Sequence, residues 1–250
     1  MHYLDMIKNK LFQILYQSEP NGSGNIASYL EEEAMAMKAV GFLVGTQPVN
    51  DAHQILYRGC TIWKENDYPQ YDNMLQGWKE YCQTLFLSQY YPLIKDITIP
   101  TFFCKSLNDE IVKEIEMRNW KKAFIKNDVS ALVSYGPNMS TWPTTNFEEM
   151  IRRFNKMPST QLFAVRKYIE IPLYSEERYW VLNNKIYHKS GIIPDIVRKA
   201  VRKLKVTGSL YYTIDATSDL IIEVNPGESS DRYFDNSTDL FALWFADAFL

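Results

Sequence analysis

The chain has 250 residues, 46% hydrophobic and 14% aromatic, with 27 lysines and arginines against 30 acidic residues for a net charge of −3. This is the composition of one large globular domain or two small ones, and ten glycines and eleven prolines exclude long collagen-like or disordered stretches. The slight acidity argues against a dedicated nucleic-acid or anionic-membrane surface, and the longest strongly apolar run, Leu240 to Leu250, falls far short of the roughly 20 residues that cross a bilayer.

The start, Met1-His2-Tyr3-Leu4-Asp5, lacks the basic and apolar regions of a secretory signal, so a cytoplasmic protein is expected. Three cysteines, Cys60, Cys82 and Cys104, have no CxxC spacing and with three histidines suggest no zinc site; buried, reduced thiols are expected. Leu11 to Tyr16 reads as a strand, followed by the loop-like Ser18-Glu19-Pro20-Asn21-Gly22-Ser23-Gly24, where a ligand could be contacted. Ile26, Leu30, Ala34, Met37 and Val40 recur at helical spacing, with Gly41 at the expected stop. Phe42 to Gly45 and Gln54 to Gly59 then read as short strands. Strand, helix, strand, strand in this order predicts a small α/β unit with some parallel pairing.

Tyr71 to Leu87 is predicted as one helix, with Leu75, Trp78, Tyr81, Cys82 and Leu85 on its apolar side, closed by Tyr90-Tyr91-Pro92. Asp96 to Pro100 leads into a second unit. There Thr101 to Cys104 is a strand, Asn108 to Asn119 a helix, Trp120 to Lys126 a strand, Phe147 to Met157 a helix and Gln161 to Ile171 a strand. Tyr179 to Leu182 and Lys185 to Tyr187 flank Asn183-Asn184, a pair that tolerates the left-handed turn of a hairpin. Val197 to Lys205 forms a basic helix striped by Val197, Val201 and Leu204, either facing an acidic partner or solvated on its outer side. Leu240 to Leu250 should be a core helix.

The most informative segment is Leu210 to Asp215, a polar turn, then Leu220 to Gly227, an antiparallel hairpin. Glu223 and Asn225 lie two apart on the second strand and project from one face, about 7 Å apart, and pairing can bring Asp215 beside them. Two carboxylates and an amide oxygen are hard ligands of the kind Mg²⁺ takes together with substrate phosphates and water. An ordinary hairpin with a polar solvent face is the alternative from spacing alone.

These residues resemble the ATP-grasp superfamily, the fold of D-alanine:D-alanine ligase and glutathione synthetase. The resemblance rests on Asp215 ending one strand with Glu223-Val224-Asn225-Pro226-Gly227 on the next, on the apolar strand Ala123-Phe124-Ile125-Lys126, on Phe163 to Ile169, and on Glu176-Glu177-Arg178 entering Tyr179-Trp180-Val181-Leu182. All four lie in the family's order over residues 100 to 250. The resemblance implies a mixed α+β and α/β architecture, with an N-terminal α/β domain over 1–98 and a nucleotide-binding region over 99–250. That region would divide into a small subdomain, 99–160, and a hinge and metal-binding subdomain, 161–250.

It further implies that Asp215, Glu223 and Asn225 hold Mg²⁺, that Lys126 contacts the ATP phosphates, and that the hinge backbone at Lys167, Tyr168 and Ile169 meets the adenine edge. Glu176 and Glu177 join the nucleotide-contacting positions, and Arg178 faces the terminal phosphate or the acyl phosphate unless it only pairs with Glu176 or Glu177. The implied activity is an ATP- and Mg²⁺-dependent ligase that joins a small-molecule or peptide carboxylate to an amine through an acyl phosphate. A phosphotransferase and a catalytically silent nucleotide-binding module are the alternatives, and no nucleic-acid or membrane partner is implied; a homodimer is compatible.

Two departures from the family pattern stand out. Ser134 to Ser140 has one glycine where the phosphate-covering loop is usually glycine-rich, and Lys79, Lys95 and Lys105 all compete for the role of a second nucleotide lysine. Arg58, ending a strand beside Gly59, either clamps a substrate carboxylate or closes a structural ion pair. His188 is either an acid/base group or a packed, hydrogen-bonded histidine.

Overall fold

Three sheets carry the chain in the computed structural model, which describes residues 11–106, 108–129, 141–142, 162–172, 175–232 and 237–250. The expectations for residues 1–5, the 134–140 loop and the 147–157 helix lie outside the described residues. The N-terminal unit is β1 (Phe12–Tyr16), α1 (Glu31–Ala39), β2 (Leu43–Gly45) and β3 (Gln54–Arg58), with the strands in the order β2-β1-β3, all parallel as anticipated. Every residue of β1 is buried, including Gln13, whose amide is satisfied by donating to the Gln47 carbonyl (2.7 Å) and accepting from Val49 N–H (2.8 Å). Three glutamates, Glu31, Glu32 and Glu33, open α1 where the helix dipole favours negative charge, and Gly41 at φ +109° stops the chain from continuing it.

The single helix expected over 71–87 is instead two, α2 (Trp78–Leu85) and α3 (Leu87–Ile94), with Phe86 extended between them. The break is a tertiary effect. Phe86 bridges to Val129, while Asp128 accepts from Ser88 N–H (2.7 Å) and Ser88 Oγ (2.5 Å) and so caps the new helix from another strand's end. Residues 71–77 are irregular, and α2 begins where the Glu80 carboxylate accepts from Gly77 N–H (3.2 Å). Pro92 lies inside α3 rather than ending it; the buried side chains of Leu87, Tyr90 and Ile94 hold the helix against a sheet despite the lost hydrogen bond.

The second unit runs β4 (Thr101–Cys104), α4 (Asp109–Met117), β5 (Ala123–Asn127), β6 (Thr141–Trp142) and β7 (Phe163–Lys167), an antiparallel sheet in the order β4-β7-β5-β6. Asn108 caps α4 by accepting from Glu110 N–H (3.1 Å). The strand expected to open the 161–250 portion, β7, thus lies at the centre of this sheet between β4 and β5.

The third sheet is β11-β10-β8-β9, built from β8 (Glu177–Leu182), β9 (Lys185–Tyr187), β10 (Tyr211–Ala216) and β11 (Ile221–Pro226), with α5 (Asp195–Leu204) and α6 (Thr238–Phe249) packed against it. The β8–β9 turn uses Asn183 and Asn184 at φ +49° and +64°, as the pair predicted. Side-chain alternation splits this sheet between two cores. Trp180, Leu182 and Tyr211 join Phe12, Met37 and the α6 aromatics Phe241 and Phe245, which ties the C-terminal helix to the N-terminal sheet. Val181, Tyr212, Ile214 and Val224 pack instead on α3 and α5. The basic face of α5 is solvated, with Lys199 and Lys203 each 3.0 Å from Asp96. None of the three cysteines forms a disulfide, but none is buried as expected: Cys60 is exposed and Cys82 and Cys104 are half-buried.

Candidate functional site

Register turns three distant sequence positions into one row. Asp215 on β10 stands opposite Arg178 on β8 and opposite Glu223 on β11, so the three side chains lie side by side across neighbouring strands. Asn225, two residues beyond Glu223 on the same face, donates its amide to Asp215 Oδ2 (3.2 Å) and Glu223 Oε2 (3.3 Å). Arg178 forks onto Asp215 through Nε to Oδ1 and Nη2 to Oδ2, both 2.7 Å, and its Nη1 donates to the Asp231 carbonyl at 3.0 Å. Lys126 arrives from β5 in the second sheet and pairs with Glu223 Oε1. The site therefore lies where the second and third sheets face each other, with both carboxylates neutralised by the protein's own cations.

Burial pushes the Asp215 carboxyl up, opposed by the Arg178 fork beside it. Glu176 is also raised, first by partial desolvation and then by the like charges of Asp215 and Glu223, which places it at the margin of the same group. Among the described residues no cluster of three or more His, Cys, Asp or Glu stands ready for a metal. The donor set of two carboxylates and one amide still fits Mg²⁺, which takes one or two carboxylates and completes its shell with phosphate and water.

Other expected residues are placed elsewhere. Glu177 projects from the opposite face of β8 and pairs with His188 (2.9 Å), whose other ring nitrogen meets Ser190 Oγ (2.8 Å) and whose ring lies 4.7 Å from that of Tyr179; His188 is the packed, bonded histidine of the two alternatives. At the hinge, Lys167 N–H already donates to the Pro100 carbonyl (2.8 Å) and Tyr168 N–H to the Lys122 carbonyl (3.1 Å), while the side chains of Lys167, Tyr168 and Ile169 are exposed. Lys79, Lys95 and Lys105 are all exposed.

Arg58 does bind a carboxylate bidentately, but it is the chain's own Glu33, through Nε (2.9 Å) and Nη2 (3.0 Å). Its Nη1 reaches the carbonyls of Gly227 (3.1 Å), Glu228 (3.3 Å) and Ser230 (2.7 Å), so the guanidinium is committed to fastening the loop that follows Asn225. The structural ion pair is the alternative that the fold adopts.

Two site-supporting residues escaped the sequence reading. Arg166, fully buried on β7, donates from Nη2 to the Ile222 carbonyl (2.9 Å) and reaches Thr98 Oγ1 (3.4 Å), fastening β11 from the second sheet just before Glu223. A charged residue on the inward-facing alternation of Phe163 to Lys167 was the available signal. Glu228 is buried, accepts from Gln76 (2.7 Å) and Tyr68 (3.2 Å), and among the described residues leaves Oε2 without a partner.

Burial raises the Glu228 carboxyl to about 8. The folded state then holds a proton that the unfolded state releases near the ordinary carboxylate range, so this group lowers stability as pH rises from about 4.5 to about 8. Glu228→Gln is expected to flatten a slope of up to ~1.4 kcal/mol per pH unit in that window, read from denaturant midpoints at about pH 5.5 and 7.5; an unchanged slope would contradict it.

No protein-family model matches the sequence, and no curated protein matches it. Solved structures do. A Chryseobacterium gregarium RiPP-associated ATP-grasp ligase in complex with ADP and a leader and core peptide aligns with TM-score 0.61 at 12% identity, over 94% of this chain and 95% of its own. The macrocyclase MdnC of Microcystis aeruginosa, bound with precursor peptide MdnA, aligns at 0.57 and 13%, over 95% and 99%. The ATP-grasp ligase PsnB, complexed with a minimal precursor, Mg and ADP, aligns at 0.59 and 9%, over 96% and 98%.

Proposed function

We propose that this chain, which has the ATP-grasp fold, is an ATP- and Mg²⁺-dependent ligase that joins a carboxylate to an amine. The observation carrying this reading is the contact of Asp215, Glu223 and Asn225 on one sheet face, with Lys126 and Arg178 bonded to the two carboxylates from different strands. The peptides named with its structural neighbours favour a peptide as one substrate.

In this reading Lys126 and Arg178 move from their carboxylates to the phosphoryl oxygens, and the freed Asp215, Glu223 and Asn225 would hold a Mg²⁺ ion. That ion would supply charge stabilisation to the transferring phosphoryl group. A substrate carboxylate oxygen attacks the γ-phosphorus as the bond to ADP breaks. An amine then attacks the acyl carbon, loses a proton and expels inorganic phosphate. Because the Lys167 and Tyr168 N–H groups are already engaged, the N–H donor to the adenine edge in this reading is that of Ile169, with the hinge carbonyls from Lys167 to Ile169 as acceptors. Glu176 is the acidic residue at the nucleotide margin, whereas Glu177 serves His188.

ADP and inorganic phosphate are expected only when acid, amine and Mg²⁺ are all present. A stable phosphorylated product formed without amine would replace this reading with a phosphotransferase, and nucleotide binding without turnover across a broad substrate screen would replace it with a silent module.

The exchange of ion pairs has its own consequence. Nucleotide draws the cations off the carboxylates and so favours the metal, and by linkage the metal favours nucleotide. Calorimetric ATP affinity is expected to be ~5–150-fold higher with Mg²⁺ than with EDTA, and Lys126→Met should shrink that ratio. An equal affinity in both buffers would count against the exchange.

A further inference from the structure

A cleft of about 690 Å³ opens in the N-terminal unit, where the parallel strands β1, β2 and β3 end. Open parallel sheets hold ligands at the carboxyl ends of their strands. The floor is Tyr16 at the end of β1, Tyr57 near the end of β3, and Tyr68, all buried, while Tyr71 and Asp67 stand exposed on the rim. The Tyr57 and Tyr68 rings meet at 6.3 Å, near edge to face. Tyr57 is seated against bare backbone: a Cβ at Gly59 would collide with its hydroxyl and with Gln17, so this wall is built around a glycine.

The charge of the lining is one-sided. Among the described residues, Asp67 is its sole formal charge, and no lysine or arginine belongs to it. The arginine next to Tyr57, Arg58, is consumed by Glu33 and three carbonyls. Burial keeps the Tyr16 and Tyr57 hydroxyls neutral by raising them above their ordinary value. An anionic ligand would find Asp67 and, among the described residues, no counter-charge, whereas a cation finds that carboxylate and the exposed Tyr71 ring above neutral tyrosine hydroxyls, surroundings that attract ammonium and guanidinium groups.

We propose that this cleft binds a protonated amino or guanidino group carried by the substrate. That the bound molecule is a substrate rests on the ligase reading; the preference for a cation rests on the lining alone. Strand β3 links the two regions: Tyr57 lines the cleft, and Arg58 beside it fastens the loop two residues past Asn225. The recognised cation is a separate group from the attacking nitrogen, which must be unprotonated to reach an acyl carbon.

The test is calorimetry on the full chain without nucleotide, using phenethylammonium and its carboxylate counterpart, phenylpropionate. Phenethylammonium is expected to bind at least ~10-fold more tightly, and Asp67→Asn and Tyr71→Ser, both at exposed positions, to weaken it ~5-fold or more each. Equal or tighter binding of the carboxylate, no binding of either probe, or indifference to both variants would overturn the proposal. Should no acid and amine pair ever be turned over, the ligase reading fails while the calorimetric preference still stands; equal binding of the two probes removes the cleft assignment even if turnover is found.

Discussion

Glu223→Gln is expected to abolish magnesium-dependent turnover, by ~10²–10³-fold or more in kcat, in a protein that remains folded. The amide keeps the volume and one acceptor oxygen but loses the charge that Lys126 and the metal both use. Asp215 cannot take its place, because in this reading it is already a ligand of the same metal and, with 3% of its side chain exposed, has no room to swing to the Glu223 position. The fold should survive because the Glu223 side chain is 20% exposed and faces the space between two sheets rather than a hydrophobic core. Phosphate release under saturating ATP and Mg²⁺ gives the first readout, and circular dichroism with a thermal melt the second. Full activity would remove Glu223 from the metal site, and with it the main support for the proposed chemistry.

Arg58→Met should act in the opposite way, on stability before chemistry. The substitution leaves Glu33, buried at 2% side-chain exposure, with Arg232 at 3.2 Å and the Tyr16 hydroxyl at 3.2 Å as its remaining described partners, and strips three loop carbonyls of their donor. Breaking a buried pair from one side costs about 3–5 kcal/mol, because the surviving charge stays desolvated. For a chain of this size that lowers Tm by roughly 6–20 °C. Adding Glu33→Leu should restore part of the loss, since it removes a buried carboxylate whose one remaining cation among the described residues, Arg232, is 21% exposed and can turn to solvent. A single-variant loss under about 1 kcal/mol would show that the clasp is dispensable.

Much of the secondary structure was legible because its causes are local. The short apolar runs gave β1, β3, β10 and β11, Asn183-Asn184 gave the β8–β9 turn, and the Val197, Val201 and Leu204 stripe gave the buried face of α5. The helix expected over 71–87 failed for the complementary reason. Its apolar periodicity was real, but Asp128 and Val129, some forty residues away, capture Ser88 and Phe86 and split it, and no local signal encodes a distant cap.

The same division runs through the site. By itself the sequence determined which residues could do chemistry: Asp215, Glu223 and Asn225 by residue type and spacing, and Lys126 and Arg178 by the resemblance that those three anchored. It left Arg58 and His188 with two meanings each. Only the tertiary structure decided that Arg178, Asp215 and Glu223 form one row, that Lys126 reaches them from another sheet, that Arg58 is spent on Glu33, and that Arg166 fastens β11. The physical reason is that spacing along a strand sets which face a side chain takes, whereas its partner is set by register and sheet packing, and those emerge only when the whole chain is folded.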